Sequence, residues 1–145
     1  MVRHPGACAV VALTPDGEVL LVRQFRQAVR QPLLEIPAGI LDVQGEDGPA
    51  CAARELMEET GYRVARIEPL ATIHTSPGFA DERIEIFLAE TGREPSAPPG
   101  EDGIDTIRLP LAEAVAAAKD GRITDAKSIA GLLLAAGRRL APAPT

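Results

Sequence analysis

The stretch Arg54-Glu55-Leu56-Met57-Glu58-Glu59-Thr60-Gly61 carries the strongest signal in the chain. Glu55, Glu58 and Glu59 stand three and four positions apart, so a helix places them on or near one face. Like charges at these spacings cost roughly a few tenths of a kcal/mol per pair, so the cluster needs cations or solvent. Hard divalent ions prefer carboxylate oxygens, and substrate phosphates complete their coordination. The glutamates indicate either a solvated acidic helix end or a metal site.

The pattern around these glutamates predicts a helix from Pro49 to Thr60. Asp47 is the candidate cap at its start, the proline suits the first turn because it lacks an N–H, and Gly61 follows the last turn. Three apolar residues of this helix are expected to face the core: Ala52, Ala53 and Leu56.

Upstream of the helix, the pattern is typical of strands. The stretches Ala7 to Leu13 and Glu18 to Phe25 are rich in Val and Leu, and the turn Thr14-Pro15-Asp16-Gly17 between them predicts a β-hairpin. A third short strand is predicted at Leu33 to Ile36. It stops at Pro37, which has no N–H, so Pro37-Ala38-Gly39 is expected to open an irregular loop.

Downstream, strands alternate with loops and helices. One or two strands are predicted at Tyr62 to Thr75, and a strand at Arg83 to Ala89 places Ile84, Ile86 and Leu88 on one face. The remaining predicted segments are a loop at Ser76 to Glu82, a surface loop at Thr91 to Gly103, a strand at Ile104 to Leu109, helices at Leu111 to Lys119 and about Asp125 to Leu140, and a frayed tail at 141–145. This order predicts one mixed α/β domain over residues 1–145.

Composition excludes several classes of protein. A chain of 145 residues, 46% of them hydrophobic, is long enough for one buried core. A formal charge of -6 and a pI near 4.9 argue against nucleic-acid binding, although a small anionic substrate remains compatible if metal ions supply positive charge. The longest uncharged N-terminal stretch is too short to span a bilayer, so the expected location is the cytoplasm. Cys8 and Cys51 match no zinc or disulfide spacing and are expected to be buried and reduced.

The glutamate segment resembles the Nudix box. That family pattern is Gly, five arbitrary residues, Glu, seven arbitrary residues, then Arg-Glu-aliphatic-any-Glu-Glu-any-Gly-aliphatic. Glu46, the seven residues after it and Arg54 to Gly61 match, whereas Tyr62 stands at the aliphatic position. Six residues separate Gly39 from Glu46, so the loop is one residue longer than the pattern, an insertion that loops tolerate. The resemblance implies a Nudix-type α/β/α sandwich with a mixed β-sheet.

The resemblance also implies roles for residues of the box. Glu55 and Glu59 would be the principal metal ligands, Glu58 would contribute directly or through water, and the carbonyl of Ala38 would add a ligand from the loop. The implied ion is Mg²⁺, with Mn²⁺ as the alternative. Arg54 would orient a glutamate, and the alternative for it is an ordinary helix salt bridge.

Other segments resemble the ADP-ribose pyrophosphatases within this family. They are Gln24-Phe25-Arg26, Leu33 to Gly39, and Ser76-Pro77-Gly78-Phe79, whose proline lies fifteen positions after Tyr62. The resemblance implies ADP-ribose as substrate. The residues it places on the substrate side are Arg26, Glu35, Arg54, Pro77, Gly78 and Phe79, and the candidates for stacking on adenine are Phe25, Phe79 and Tyr62.

The mechanism implied by the resemblance is metal-assisted attack of water on phosphorus. Roughly two or three Mg²⁺ ions would neutralise the diphosphate, and the products from ADP-ribose would be AMP and ribose 5-phosphate. Glu58 and Glu59 would take part in catalysis. The general base stays open among Glu82, in the loop before a strand, and Glu101 and Asp102, in the loop before the last strand.

Three alternatives are compatible with the same residues. The first is a Nudix hydrolase of another nucleoside diphosphate derivative, such as a dinucleotide polyphosphate, a sugar nucleotide or a nucleoside triphosphate. The second is a sensor that binds ADP-ribose without cleaving it, and the third is an interaction protein with a solubilising acidic helix. The subgroup implies a homodimer, and because relatives carry further strands before the segment at His4-Pro5-Gly6, the dimer here is expected to form differently.

Overall fold

Strand β1, Ala7–Leu13, lies at the centre of the sheet, and its residues from Ala7 to Ala12 are all buried. The computed structural model describes residues 3–100 and 102–138. The turn at residues 14–17 leads from β1 into β2, Glu18–Arg26, and the two strands pair antiparallel at Leu13 and Val19. The predicted hairpin is therefore confirmed at its turn, and the two strands then take different partners.

The other strands extend the sheet on both sides of this pair. Their bounds are β3 Gln31–Glu35, β4 Ala38–Ile40, β5 Val64–His74, β6 Arg83–Thr91 and β7 Ile104–Pro110. The order in the sheet is β3-β2-β1-β6-β5, with β4 paired to β1 and β7 paired to β2. Strand β1 runs parallel to β6, and the remaining pairs are antiparallel, so the sheet is mixed as predicted.

Helices cover both faces of the sheet. Helix α1 is Gly48–Thr60, α2 is Leu111–Asp120 and α3 is Ala126–Ala136. Because side chains alternate along a strand, one face of β1 packs with α2 and α3, and the other face packs with α1. Ile84, Ile86 and Leu88 share the α2/α3 side, as predicted. The result is the α/β/α sandwich that the resemblance implied.

The structure corrects the prediction of an irregular loop at Pro37-Ala38-Gly39. Residues Ala38–Ile40 form β4, which pairs antiparallel with the first half of β1. The Pro37 carbonyl accepts a hydrogen bond from the N–H of Val10 at 3.0 Å. Buried backbone groups of β1 need hydrogen-bond partners. Because β2 pairs with β1 only near Leu13, β4 supplies the partners for Ala7 to Ala9.

The prediction of reduced cysteines is wrong. Cys8 on β1 and Cys51 on α1 are both fully buried, as expected, but they form a disulfide with their Cα atoms 6.3 Å apart. Both residues belong to the core between β1 and α1. The pairing is long-range, with a sequence separation of 43, so no local spacing motif could indicate it.

The C-terminal helix is shorter than predicted. Helix α3 ends at Ala136, and Gly137 follows with its N–H donating back to the carbonyls of Leu134 and Ala135. Residues 139–145, including the predicted frayed tail, lie outside the described residues. Within the described part of the chain, no helix combines the length and apolar character needed to cross a membrane.

Candidate active site

Helix α1 begins and ends where its capping residues predict. The Asp47 carboxylate accepts a hydrogen bond from the N–H of Ala50 at 2.9 Å, and Pro occupies the first turn. Gly61 ends the helix at φ 79° and donates its N–H to the Met57 carbonyl. Leu56 is buried against β1, which turns the glutamate face of α1 towards β4.

The backbone of β4 lies directly against two of the glutamates. A Cβ atom on Gly39 would lie 2.2 Å from the carboxyl carbon of Glu55, so only glycine lets this carboxylate approach so closely. The Ala38 N–H donates a hydrogen bond to the Glu59 carboxylate at 3.2 Å, and Glu59 is only 4% exposed. The structure thus brings Glu55 and Glu59, two of the ligands that the resemblance implied, against the backbone of Gly39 and Ala38, while the side chain of Glu58 is exposed. Coordination by Glu58 and by the Ala38 carbonyl stays a prediction.

Arg54 links the neighbouring carboxylates. Its guanidinium donates two hydrogen bonds to Glu46, at 2.8 and 3.0 Å, and further bonds to Glu55 at 2.9 Å and Glu58 at 3.2 Å. The hydrogen bond to Glu46 raises the pKa of Arg54 and lowers the pKa of Glu46. Arg54 therefore offsets the repulsion among these carboxylates, and it contacts Glu55, as expected for a residue that orients a glutamate.

The donor set suits a hard divalent cation whose coordination is completed by other groups. No cluster of three or more His, Cys, Asp or Glu residues converges as a ready-made metal cage within residues 3–100 and 102–138. The carboxylate of Glu55 nevertheless lies against Gly39 and that of Glu59 against Ala38, so two carboxylates face neighbouring residues of β4. Mg²⁺ commonly takes one or two carboxylates and completes its shell with water and substrate phosphates, so these residues fit such an ion.

A cleft of about 370 Å³ adjoins these donors. Glu59 and Glu82 contribute carboxylates to its wall, while Arg26 and Lys127 contribute cationic side chains. The described residues that line it are His4, Ala7, Gln24, Arg26, Ala38, Gly39, Ile40, Glu59, Glu82, Ile84, Ile104 and Lys127. Acidic groups for a cation and basic groups for phosphates suit a diphosphate bound with a metal ion.

Glu35 joins the two cationic side chains of the cleft. Its carboxylate is 2% exposed and accepts hydrogen bonds from Arg26, at 2.7 and 2.8 Å, and from Lys127 at 2.8 Å. Burial alone raises the pKa of Glu35, but the hydrogen bonds from Arg26 and Lys127 outweigh it, so the pKa is lowered. The carboxylate therefore stays ionised and holds both cations beside the cleft.

Sequence reasoning missed Lys127 as a site residue. The residue is 92 positions from Glu35, and the segment around it predicted only a helix start. Asp125 caps α3, since its carboxylate accepts the N–H of Ser128 and also pairs with the Lys127 ammonium at 3.0 Å. A lysine beside a helix cap carries no local signal of its own, so only the fold reveals this role.

The loop before β6 presents one predicted residue to the cleft. Phe79 and Ala80 donate their N–H groups to the Ser76 carbonyl, which closes a tight turn. Glu82 at the end of the loop lines the cleft, whereas Pro77, Gly78 and Phe79 are exposed and absent from the described lining. Substrate contact by those three residues stays a prediction.

The loop before β7 is attached to the end of α1. Ser96 donates its N–H to the Gly61 carbonyl at 2.8 Å, and Gly100 donates to the Glu58 carbonyl at 2.9 Å. These bonds satisfy carbonyls that a helix end leaves without intrahelical partners. Asp102 follows this attachment and is exposed, and Glu101 lies outside the described residues. A role for either as general base stays a prediction.

Comparison with known proteins decides the family. A model of the NUDIX domain matches residues 2–132. The chain belongs to the Nudix family. This confirms the identification made from Glu46 and the segment Arg54 to Gly61, and it makes the protein a Nudix hydrolase.

Curated relatives of this Nudix chain carry several names. It is 44% identical to the methanol dehydrogenase activator of Bacillus methanolicus over 132 residues, covering 89% of this chain and 71% of that protein. It is 37% identical to the ADP-ribose pyrophosphatase of Bacillus subtilis strain 168, covering 88% and 70%. It is also 38% identical to the GDP-mannose pyrophosphatase of Yersinia enterocolitica, covering 88% and 71%.

A solved structure confirms the Nudix fold. The crystal structure of an ADP compounds hydrolase superposes with a TM-score of 0.80 at 23% sequence identity, covering 91% of this chain and 71% of that one.

The prediction that Tyr62 could stack on adenine is wrong. Tyr62 is 3% exposed, packs in the core beside α1 and accepts a hydrogen bond from Arg108, so its ring cannot stack on a base. Phe25 and Phe79 are exposed.

Proposed function

We propose that this chain is a divalent-metal-dependent pyrophosphohydrolase that cleaves ADP-ribose to AMP and ribose 5-phosphate. One observation carries the proposal: Glu55 and Glu59 of α1 lie against Gly39 and Ala38 of β4, beside a cleft that also contains Arg26 and Lys127. A diphosphate needs such an arrangement, because its negative charge must be neutralised before water can attack phosphorus.

In the proposed mechanism Glu55, Glu59 and the Ala38 carbonyl would hold the ion, and Glu58 would contribute directly or through water. When bound, the ion supplies positive charge to the diphosphate and lowers the pKa of water. Arg26 binds phosphate oxygens through its guanidinium while Glu35 holds its position. A carboxylate takes the proton of the attacking water, the oxygen bonds to phosphorus, and the bridging P–O bond breaks with its electron pair on the leaving phosphate.

Two observations support ADP-ribose as the substrate. One relative is an ADP-ribose pyrophosphatase, and the segment Ser76 to Phe79 resembles that subgroup. In this proposal Pro77 shapes the turn, Gly78 lets the backbone approach the ligand, and Phe79 offers an exposed ring to adenine. The GDP-mannose pyrophosphatases among the relatives favour a second candidate, a sugar nucleotide of another base. Both substrates share the diphosphate, so the same ligands would serve either.

The ion, the assembly and the location complete the proposal. We propose Mg²⁺, with Mn²⁺ able to replace it, because the donors are all oxygen atoms. A homodimer is carried over from the family resemblance, and a cytoplasmic location from the shortness of the uncharged N-terminal stretch. Disulfides are uncommon in reducing compartments such as the cytoplasm, so the redox state of Cys8 and Cys51 tests the proposed location. Alkylation of free thiols at cell lysis measures that state.

The test is product analysis on a panel of ADP-ribose, GDP-mannose, a dinucleotide polyphosphate and a nucleoside triphosphate with Mg²⁺ or Mn²⁺. We expect AMP from ADP-ribose with the highest kcat/KM, and a loss of about 10²-fold or more in kcat in Glu59→Gln. Glu113→Gln, which changes an exposed glutamate on α2, is the matched control. Preference for another diphosphate would reject the substrate, and tight ADP-ribose binding without turnover would indicate a sensor.

A further inference from the structure

His4 lies at the edge of the proposed active site and contacts one of its carboxylates. Its Nε2 is 3.3 Å from one carboxylate oxygen of Glu82, and both residues line the cleft. The hydroxyl of Thr75 donates a hydrogen bond to the other carboxylate oxygen of Glu82 at 2.5 Å. Each oxygen of Glu82 thus has one partner and keeps a lone pair for a further hydrogen.

The histidine is itself held on two sides. The N–H of Gly6 donates to Nδ1 of His4 at 3.0 Å, and the backbone N–H of His4 donates to the Asp81 carboxylate at 2.6 Å. Because Nδ1 accepts a hydrogen bond, the proton of a neutral imidazole is on Nε2, the nitrogen that lies 3.3 Å from Glu82. The position of the imidazole beside Glu82 is therefore fixed by two backbone contacts.

The environment of Glu82 differs from that of Glu35, the buried carboxylate that holds the two cationic side chains of the cleft. Glu35 is held by two full positive charges, from Arg26 and Lys127, which suit a carboxylate that stays ionised. Glu82 lies beside the His4 imidazole and accepts a hydrogen bond from the Thr75 hydroxyl, and neither contact places a cationic side chain of Arg or Lys against it. Such a carboxylate can accept a proton during a reaction.

We propose that His4 is a positioning residue that holds the Glu82 carboxylate towards the cleft, where Glu82 accepts the proton of the attacking water. The proposal rests on the proposed function and selects one of the candidates left open for the base. The water oxygen bonds to phosphorus, its proton passes to Glu82, and the bridging oxygen leaves with the electron pair. His4 acts through Glu82 and contacts neither the substrate nor the water.

The experiment is a double-mutant cycle on the whole chain, with kcat and KM measured for the best substrate of the panel. Glu82→Gln should lower kcat by about 10²-fold or more, the usual contribution of a proton acceptor. His4→Ala should lower kcat by roughly 10-fold or more, with KM within about twofold, as expected for a partner that orients a working side chain. In the Glu82→Gln background, His4→Ala should cause no further loss.

Two variants separate positioning from a general loss of structure. His4→Gln keeps an N–H donor and should recover part of the kcat lost in His4→Ala. Thr75→Val removes the donor on the other oxygen of Glu82 and should lower kcat in the same way, so the proposal stays testable if His4→Ala does not fold. The midpoint of thermal unfolding of each variant provides the control.

The outcomes distinguish the two proposals. If His4→Ala lowers kcat by the same factor with and without Glu82→Gln, His4 does not act through Glu82. If Glu82→Gln keeps the wild-type kcat, Glu82 is not the proton acceptor. Either outcome overturns the present inference and leaves the proposed function standing. If the wild type cleaves none of the diphosphates, the proposed function fails first. A loss confined to KM in His4→Ala would also overturn the inference, because it would indicate a substrate contact instead.

Discussion

At the scale of single residues, the site depends on a glycine as much as on its glutamates. Gly39 has no side chain, and the carboxylate of Glu55 occupies the space that a Cβ would need. A glycine is therefore needed at this position of the chain for its lack of a side chain and not for its φ, which is unremarkable. The backbone of β4 and the carboxylate are thereby held in direct contact.

Gly39→Ala is predicted to impair metal activation. The new methyl group would displace the Glu55 carboxylate, and a displacement of about 1 Å in a ligand lowers activity by roughly 10- to 100-fold. The measurement is the Mg²⁺ concentration that gives half-maximal activity, which should rise. Gly92→Ala, where a Cβ would meet its nearest neighbour at 3.9 Å, is the matched control. An unchanged Mg²⁺ midpoint in Gly39→Ala would show that the contact is unimportant.

At the scale of secondary-structure elements, α3 is joined to the end of β3 by one buried hydroxyl. Ser128 is fully buried, and its Oγ accepts the N–H of Ile36 at 2.8 Å while donating to the Asp125 carboxylate. The same helix start carries Lys127, which pairs with Glu35 on β3. The position of this cation therefore depends on how α3 begins.

Ser128→Ala is predicted to lower the free energy of unfolding by about 1–3 kcal/mol, because it leaves the buried N–H of Ile36 without its acceptor. Urea denaturation followed by circular dichroism measures it. Thr124→Ala, an exposed position just before the cap, should change the free energy by less than about 0.5 kcal/mol and serves as the control. Equal effects of the two substitutions would contradict the prediction.

The helices show how far local sequence predicts the elements. Asp47, the proline of the first turn and Gly61 marked both ends of α1, and the structure confirms them. Strand β4 escaped prediction because Pro37 is normally a strand terminator, and the need of β1 for a partner is visible only in the sheet. His4 and Lys127 escaped for a related reason, since their carboxylate partners are distant in sequence.

At the scale of the whole molecule, ionised carboxylates contribute to stability near neutral pH. The pKa of Glu35 lies below the ordinary value of 4.5, and arginine partners also lower the pKa values of Glu46 and Asp120. When the pKa of a carboxyl group is lower in the folded state than in the unfolded state, the stability that the group contributes is fully present at pH values above its unfolded-state pKa. That contribution is lost as the pH falls through the folded-state pKa.

The free energy of unfolding should therefore be nearly constant between about pH 7 and 5 with respect to these groups and fall below about pH 4.5. Glu35→Gln should be less stable at neutral pH and should show a shallower decline in acid, because the amide does not titrate. Urea denaturation at about pH 7, 5 and 3 provides the comparison, with Glu113→Gln as the control. Parallel pH curves for Glu35→Gln and the wild type would contradict a role for Glu35.

The position of β1 also has a consequence for how the chain reaches this structure. Ala7 pairs with Ile84 and Leu13 with Glu90, so the centre of the sheet cannot close until most of the domain has been synthesised. Parallel pairing over so long a separation is slow, since the chain entropy of a long loop is lost before the contact forms. During translation the apolar β1 has an open edge until β6 is made, and pairing of that edge with another nascent chain is an aggregation route that this topology predicts.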